Sequence, residues 1–478
     1  MTRPAPAAIA AFAAAMLPCI MAAQELEKCR LDPASPSTNL ERRLQPSGQY
    51  NIYMGRGGVI VRCPSRKLTL RADSLESYGD ESRLFLLGHV HYVEPRLDLT
   101  SDFLTYHQMF ERIVATSNVV AKLPSGSTLR GPIVDYYRVM PDVRETTRLL
   151  ATQRPTITVV QKDTTGRASD TLTVLANGVN MVGDSLVYAS GAVVMTRPEV
   201  EGKGDSLFLD SDKGLMVLMR GPSITGRKNR PFTLTGVRLE MTSANHKLSR
   251  VLAMGQGKAV SEDMTLASDT IDLRVSNDLL DRAIAWGPGR AKANSATQQI
   301  VADSIDVRMP GQRVRELHAV RAAAAEAQPD TSRFKADTVD WLRGDTIVAR
   351  FDTAATRDST RTAQIKELVA NGTARSWYHV APSDTSLRKS AINYVTGRQI
   401  TVAFQQRRAS IVTIIDRASG VYAEPRPPAK PKPEASTTAK SSSTKTPPTK
   451  TPPTKTPPTK TPPTKTTPTK TAPPKPPQ

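Results

Sequence analysis

"LASDTIDLRV" at 266–275 and "IVADSIDVRM" at 300–309 share one plan: an acid, a small hydroxyl residue, then apolar residues at alternate positions. The two acids, Asp269 and Asp303, stand 34 residues apart. The same Asp–Ser/Thr–aliphatic signature recurs at Asp73, Asp170, Asp184, Asp205, Asp337 and Asp345, with looser copies at Asp102 and Asp135. A unit that returns every 20–50 residues marks a repeat architecture. After most copies the apolar residues alternate: Ile271, Leu273 and Val275; Ile305, Val307 and Met309; Leu207 and Leu209; Leu186 and Tyr188; Val339 and Trp341. The opposite parity is polar, as in Asp272 with Arg274 and Asp306 with Arg308. Period two means strand. One apolar and one polar face is the habit of antiparallel sheets.

A second strand type lies between these copies. It runs into small residues: "LFLLGHVHYV" around Gly88, "VLANGVNMV" around Gly178, "VLAMGQGKAV" around Gly255, "AIAWGPGRAKA" around Gly287 and "LVANGTARSW" around Gly372. Glycine inside a strand marks a bulge, a bend or a close backbone approach. Two alternating strand types predict a long antiparallel meander. No clear helix stands out. The Ala run in 313–328 has helical propensity, but it aligns with the second strand type and is expected to be strand.

Composition agrees with a thin fold. Hydrophobic residues make up 38% of the 478-residue chain and aromatics only 5%, which suits a core one side-chain layer deep. The net charge is +20, yet residues 425–478 hold eleven Lys or Arg against one acid, so half the excess sits in the C-terminal stretch. The rest is mildly basic, and no nucleic-acid partner is expected. Residues 423–478 carry TPPTK copies. Proline at that density favours extended, solvated backbone, so this tail is expected to be disordered. Its lysines would act as a spacer or touch an anionic envelope surface.

Residues 1–23 have the pattern of a signal peptide: Arg3, an Ala-rich apolar stretch, then small residues at Ala22 and Ala23. Lipidation of Cys19, after Pro18, is the alternative. Export is expected, with the mature chain either soluble in the periplasm or held at a surface by other means, such as association with the outer membrane. Residues 24–65 read as an irregular N-terminal arm. Cys29 and Cys63 then remain, either as one disulfide or as two free thiols.

Three stretches together resemble a known family. They are "ADSL" at 72–75 with "GHV" at 88–90, "LTSDFLTYHQMFERIVATSNVV" at 99–120, and "LRGPIVDYY" at 129–137. This succession is similar to the organic solvent tolerance-like (OstA, LptA-like) domain of lipopolysaccharide transport. It is strongest over 66–160 and recurs more loosely over 172–422. The chain departs from the family in its length and in its Pro-Lys tail. The resemblance implies an all-β fold, an open antiparallel β-jellyroll built from repeated strand modules, with a first lobe at 66–160 and further repeats over 161–422. It implies a periplasmic carrier or bridge that holds lipopolysaccharide acyl chains in an apolar groove. It also implies joining to similar β-jellyrolls through exposed edge strands. The candidate groove residues are Leu75, Leu104, Leu186, Leu207, Ile271, Leu273, Ile305, Val307 and Val339. The alternative is an elongated envelope scaffold whose apolar faces close on each other without lipid. The repeated Asp residues suit backbone hydrogen bonds at strand bends better than a calcium site. His89 and His91 lack the further ligands of a metal centre. No hydrolase, phosphate-loop or zinc motif is found, so neither enzyme activity nor a cofactor is expected.

Overall fold

The computed structural model describes residues 29–162, 168–227, 231–245, 247–329, 331–332, 334–352, 363–384, 388–405 and 408–426. The signal-peptide and Cys19 expectations, and nearly all of the tail, lie outside the described residues. The fold is all-β. Among the described residues, thirty strands join one antiparallel sheet, interrupted by three single-turn 3₁₀ segments. The Ala-rich segment is the strand Glu316–Ala327. Alanine's helical preference is a weak prior, and ladder bonds on both sides of this strand override it.

Long strands pass through two leaves of the sheet. In Arg83–Glu94, residues 83–87 pair with Ser74–Tyr78, whereas 91–93 pair with 69–71. The register breaks between Leu87 and Val90. There Gly88 and His89 both adopt positive φ. The same left-handed pair occurs at Ser117 with Asn118, Gly191 with Ala192, Gly255 with Gln256, and Arg321 with Ala322. Each is a bulge that turns its strand from one leaf into the other. Each matching strand carries a repeat Asp at its corner: Asp73, Asp102, Asp205, Asp269, Asp303 and Asp345.

Those carboxylates face the neighbouring bulges. Gly289 N–H donates to Asp269 Oδ2 at 2.6 Å, and Asn118 Nδ2 donates to Asp102 Oδ2 at 2.7 Å. His89 Nδ1 lies 2.7 Å from Asp73 Oδ2, and Thr373 Oγ1 donates to Asp345 Oδ1. At Gly372 (φ +98°) an added Cβ would collide with the Asp345 carboxylate, so both conformation and space call for glycine.

The corner changes the phase of burial. Before it, the inward residue stands three positions ahead of the Asp: Leu70, Leu99, Leu266, Ile300 and Leu342. After it, the inward residue stands two positions behind: Leu75, Leu104, Leu207, Ile271, Ile305 and Ile347. Both leaves turn these residues toward one contiguous core. Tight contact between inner faces is what holds the leaves together.

Three sequence-based expectations need correction. Asp184 lies at a hairpin tip rather than at a corner, so Leu186 is not an inward rung; Val187 and Ala189 are buried, and Tyr188 faces solvent. Val339 likewise precedes the strand Asp340–Phe351, whose inward residues are Leu342, Ile347 and Ala349. Asp345, not Asp337, marks that corner. Nor is the stretch 24–65 irregular in its described part. It holds the strands Arg30–Pro33, Asn39–Leu44, Tyr50–Gly55 and Val59–Cys63. A disulfide joins Cys29 to Cys63, beside the antiparallel pairing of Arg30–Pro33 with Val59–Cys63.

Candidate functional site: the interior between the leaves

Seven of the nine candidate groove residues share one inner face. Leu75, Leu104, Leu207, Ile271, Leu273, Ile305 and Val307 all belong to the leaf behind the corner, and each is at most 2% exposed. The opposing inner face is built mostly of residues outside the Asp–Ser/Thr–aliphatic signature, such as Leu99, Leu129, Ile224, Leu266 and Ile300, and it also holds Leu172, which follows the signature at Asp170. For Leu99, Leu266 and Ile300 a signal was present: an aliphatic residue three positions before the Asp. Reading it requires knowing that the phase slips at the corner.

The interior is filled by these side chains. Two recesses each have a cavity volume of about 30 Å³, the space of about one water. Both lie at the mouth, opposite the corner, where the hairpin tips of the two leaves meet. One is lined by Phe232 and Asp263 from one leaf and by Leu280, Met309 and Val314 from the other. The second lies among Met264, Ala293, Leu317, Phe351 and Ile365.

The mouth is bridged by side chains. At the N-terminal rungs a polar cluster spans the leaves, with its tyrosines buried, Glu94, Glu111 and Arg138 half-buried and Arg66 exposed. Glu94 accepts from Tyr92 Oη at 2.8 Å, Tyr136 Oη at 2.5 Å and Arg138 Nε at 2.7 Å. Glu111 accepts from Arg66 Nη1, Tyr106 Oη and Arg138 Nη1 at 2.7–2.8 Å. Arg66, Tyr92 and Glu94 belong to one leaf; Tyr106, Glu111, Tyr136 and Arg138 belong to the other. Arg138 therefore ties the two carboxylates together with two charge-assisted bonds. Burial would raise the Glu111 carboxyl pKa, but bonds from Tyr106 and the adjacent Arg66 and Arg138 outweigh it and hold the pKa below the usual value. Burial and the bond to Glu111 push the Tyr106 hydroxyl up to about 12. Burial and the nearby Glu94 raise Tyr92 and Tyr136 as well. All three tyrosines thus remain donors at neutral pH.

Further along, buried Arg197 reaches from the tip at 197–199 to Ser243 Oγ on the opposite leaf at 3.0 Å. Asp263 accepts from the Ala363 backbone N–H at 3.0 Å. No group of three or more His, Cys, Asp or Glu suited to a metal occurs among the described residues.

No family model matches the chain, and no curated protein matches it. Among solved structures, the chain is similar to LptH. That protein is described as the LptA homologous periplasmic component of the conserved lipopolysaccharide transport device from Pseudomonas aeruginosa. The match covers 26% of this chain and 93% of that one at 16% identity, with a TM-score of 0.23. A likeness of that size decides nothing about function.

Proposed function

We propose that this chain is a periplasmic lipid-handling protein of outer-membrane assembly, which takes acyl chains of lipopolysaccharide or a related lipid between its two leaves. One observation carries the reading. The leaves are continuous at the corner, where strands pass from one to the other, while the contacts described across the mouth run through side chains. Parting the mouth would expose a long apolar lining without unzipping the strand ladders. Each CH₂ of a chain placed there contributes about 0.8 kcal/mol, so aliphatic rungs alone hold a lipid with no catalytic group. The outermost strands fit a bridge. Asn39–Leu44 and Arg408–Ile415 each pair on one side among the described residues and expose Leu40, Leu44, Ile411 and Ile415. Such edges are templates for a further strand from a similar β-protein.

A photo-crosslinking residue at Ile271, Leu75 or Ile305 should yield a lipopolysaccharide adduct in cells. Absence of adducts from all three, alongside adducts from a control carrier, would remove the reading. The second reading is a closed envelope scaffold without lipid, and the near-complete burial of these same rungs favours it. Cysteines at those positions would then stay unreactive to a small thiol reagent in folded protein.

A further inference from the structure

The strand Arg408–Ile415 ends one leaf of the sheet. It pairs with Ala391–Gln405 on one side and with no strand on the other among the described residues. Its last five residues are Ile411, Val412, Thr413, Ile414 and Ile415, every one β-branched. Val412 and Ile414 face the end of the core and are only half-buried. Ile411, Thr413 and Ile415 face outward and are exposed, Ile411 at 61% and Ile415 at 51%. The stretch 411–415 has no charge, no proline and no bulge; the register shift in this strand falls before it, at Ser410. Exposed edges are normally blunted by such devices. Two other outermost strands are: Arg30–Pro33 has four residues and ends in proline, and Asn39–Leu44 carries Glu41, Arg42 and Arg43.

A strand that covers this edge must be apolar on both faces, and the strand itself has that property. We infer that Arg408–Ile415 pairs antiparallel with the same strand of a second copy, about a two-fold axis at Thr413. In that register Ile411 meets Ile415 of the second copy, Val412 meets Ile414, and Thr413 meets Thr413. Opposed residues then share a face, as the pleat requires. Centring the axis on Val412 would set Ile414 against Ser410, and centring it on Ile414 would set Val412 against Asp416. Only Thr413 matches all four aliphatic residues with one another, and such cross-strand pairs are what stabilise a ladder. A joint with Asn39–Leu44 of the second copy is the poorer match. Leu40 stands opposite buried Met54, so Leu40, Arg42 and Leu44 take the core side and Asn39, Glu41 and Arg43 the outer side. Every register that keeps the faces would therefore set Ile411 and Ile415 against polar or charged residues. A self-paired contact is closed, so it gives a dimer and stops there. It rests on the reading above only in taking this edge as a template, and lipid has no part in it. Residues 425–478 carry eleven Lys or Arg against one acid in each copy, so pairing works against charge and tightens as salt screens it.

The test uses the full chain with Cys19→Ser, in which Cys29 and Cys63 are joined to each other. Opposed Cα atoms in an antiparallel pair lie about 4.5–5.5 Å apart, within reach of a disulfide. Thr413→Cys should therefore link to itself under mild oxidation. Ile411→Cys alone should link poorly, but mixed with Ile415→Cys it should give the linked heterodimer, read on a gel with a size tag on one variant. Sedimentation of the chain without added cysteines should show a monomer–dimer equilibrium that shifts toward dimer as salt rises. Thr413→Lys opposes like charges across the axis and should weaken that equilibrium by about tenfold or more. Its melting temperature should not change, since Thr413 is exposed. Leu40→Lys should leave the dimer intact. Linkage of Thr413→Cys to Glu41→Cys but not to itself would assign the edge to a head-to-tail joint and overturn the inference. A chain that stays monomeric at every concentration and salt would overturn it as well, whereas either result leaves the lipid crosslinks to decide the reading above.

Discussion

At the scale of single residues, the repeat Asp is a corner piece. It meets the left-handed bulge of the next strand and satisfies groups that the broken ladder leaves over. Replacing Asp269 with Ala removes the bond to Gly289 N–H and should cost about 1 kcal/mol, read as a lower denaturant midpoint. Gly372→Ala should cost more, about 1–3 kcal/mol, because it adds positive-φ strain and a clash with Asp345. Glu111 carries a pH signature. Its folded pKa is depressed, so its stabilisation is complete above the ordinary carboxyl value. It is lost as pH falls through the folded pKa. Thermal melts of wild type should therefore lose stability below about pH 4.5. Glu111→Gln should be less stable at neutral pH and show a shallower decline in acid. Parallel curves for the two proteins would contradict the assigned role.

At the scale of elements, the inward register makes sharp comparisons possible. Val187→Ala and Ile347→Ala should destabilise by about 1–4 kcal/mol, whereas Leu186→Ala and Val339→Ala should cost clearly less. Equal losses within a pair would restore the register read from the sequence. The repeats at Asp73, Asp102, Asp205, Asp269 and Asp303 were legible because each has an apolar residue two places later. Asp184 and Asp337 share that signature but lie at a hairpin tip and ahead of a strand. Composition does not separate a tip from a corner; only the strand pairing does. The opposing leaf stayed hidden for a related reason. Its aliphatic residues are out of phase with those after the Asp, and a bulge that slips the phase breaks a period-two pattern. The mouth cluster belongs to this scale as well. Arg138→Ala leaves half-buried Glu94 and Glu111 without their shared cation, though Glu111 keeps Arg66, and should cost about 2 kcal/mol. It should also speed hydrogen exchange at the tips of both leaves, which an isolated surface pair would not do.

At the scale of the whole molecule, the disulfide ties the first strands together. Cys29→Ser with Cys63→Ser should lower stability by about 2–4 kcal/mol, with the loss of protection concentrated in residues 30–72. Placing charge on the edges, through Leu40→Lys and Ile411→Lys, should reduce any end-to-end association seen by light scattering while leaving the melting temperature within a few degrees, since both side chains are exposed. The sequence by itself determined that this is a one-sided, repetitive, antiparallel β-protein, because alternation and repeat spacing are local properties of the chain. It also determined the glycine and aspartate punctuation of the strands. Only the tertiary structure decided that each long strand serves two leaves and that their apolar faces meet. It alone brought Arg66, Glu94, Glu111 and Arg138 together at the mouth. Those groups come from separate strands and turns, and what joins them is the folding of one leaf onto the other, which no spacing along the chain encodes.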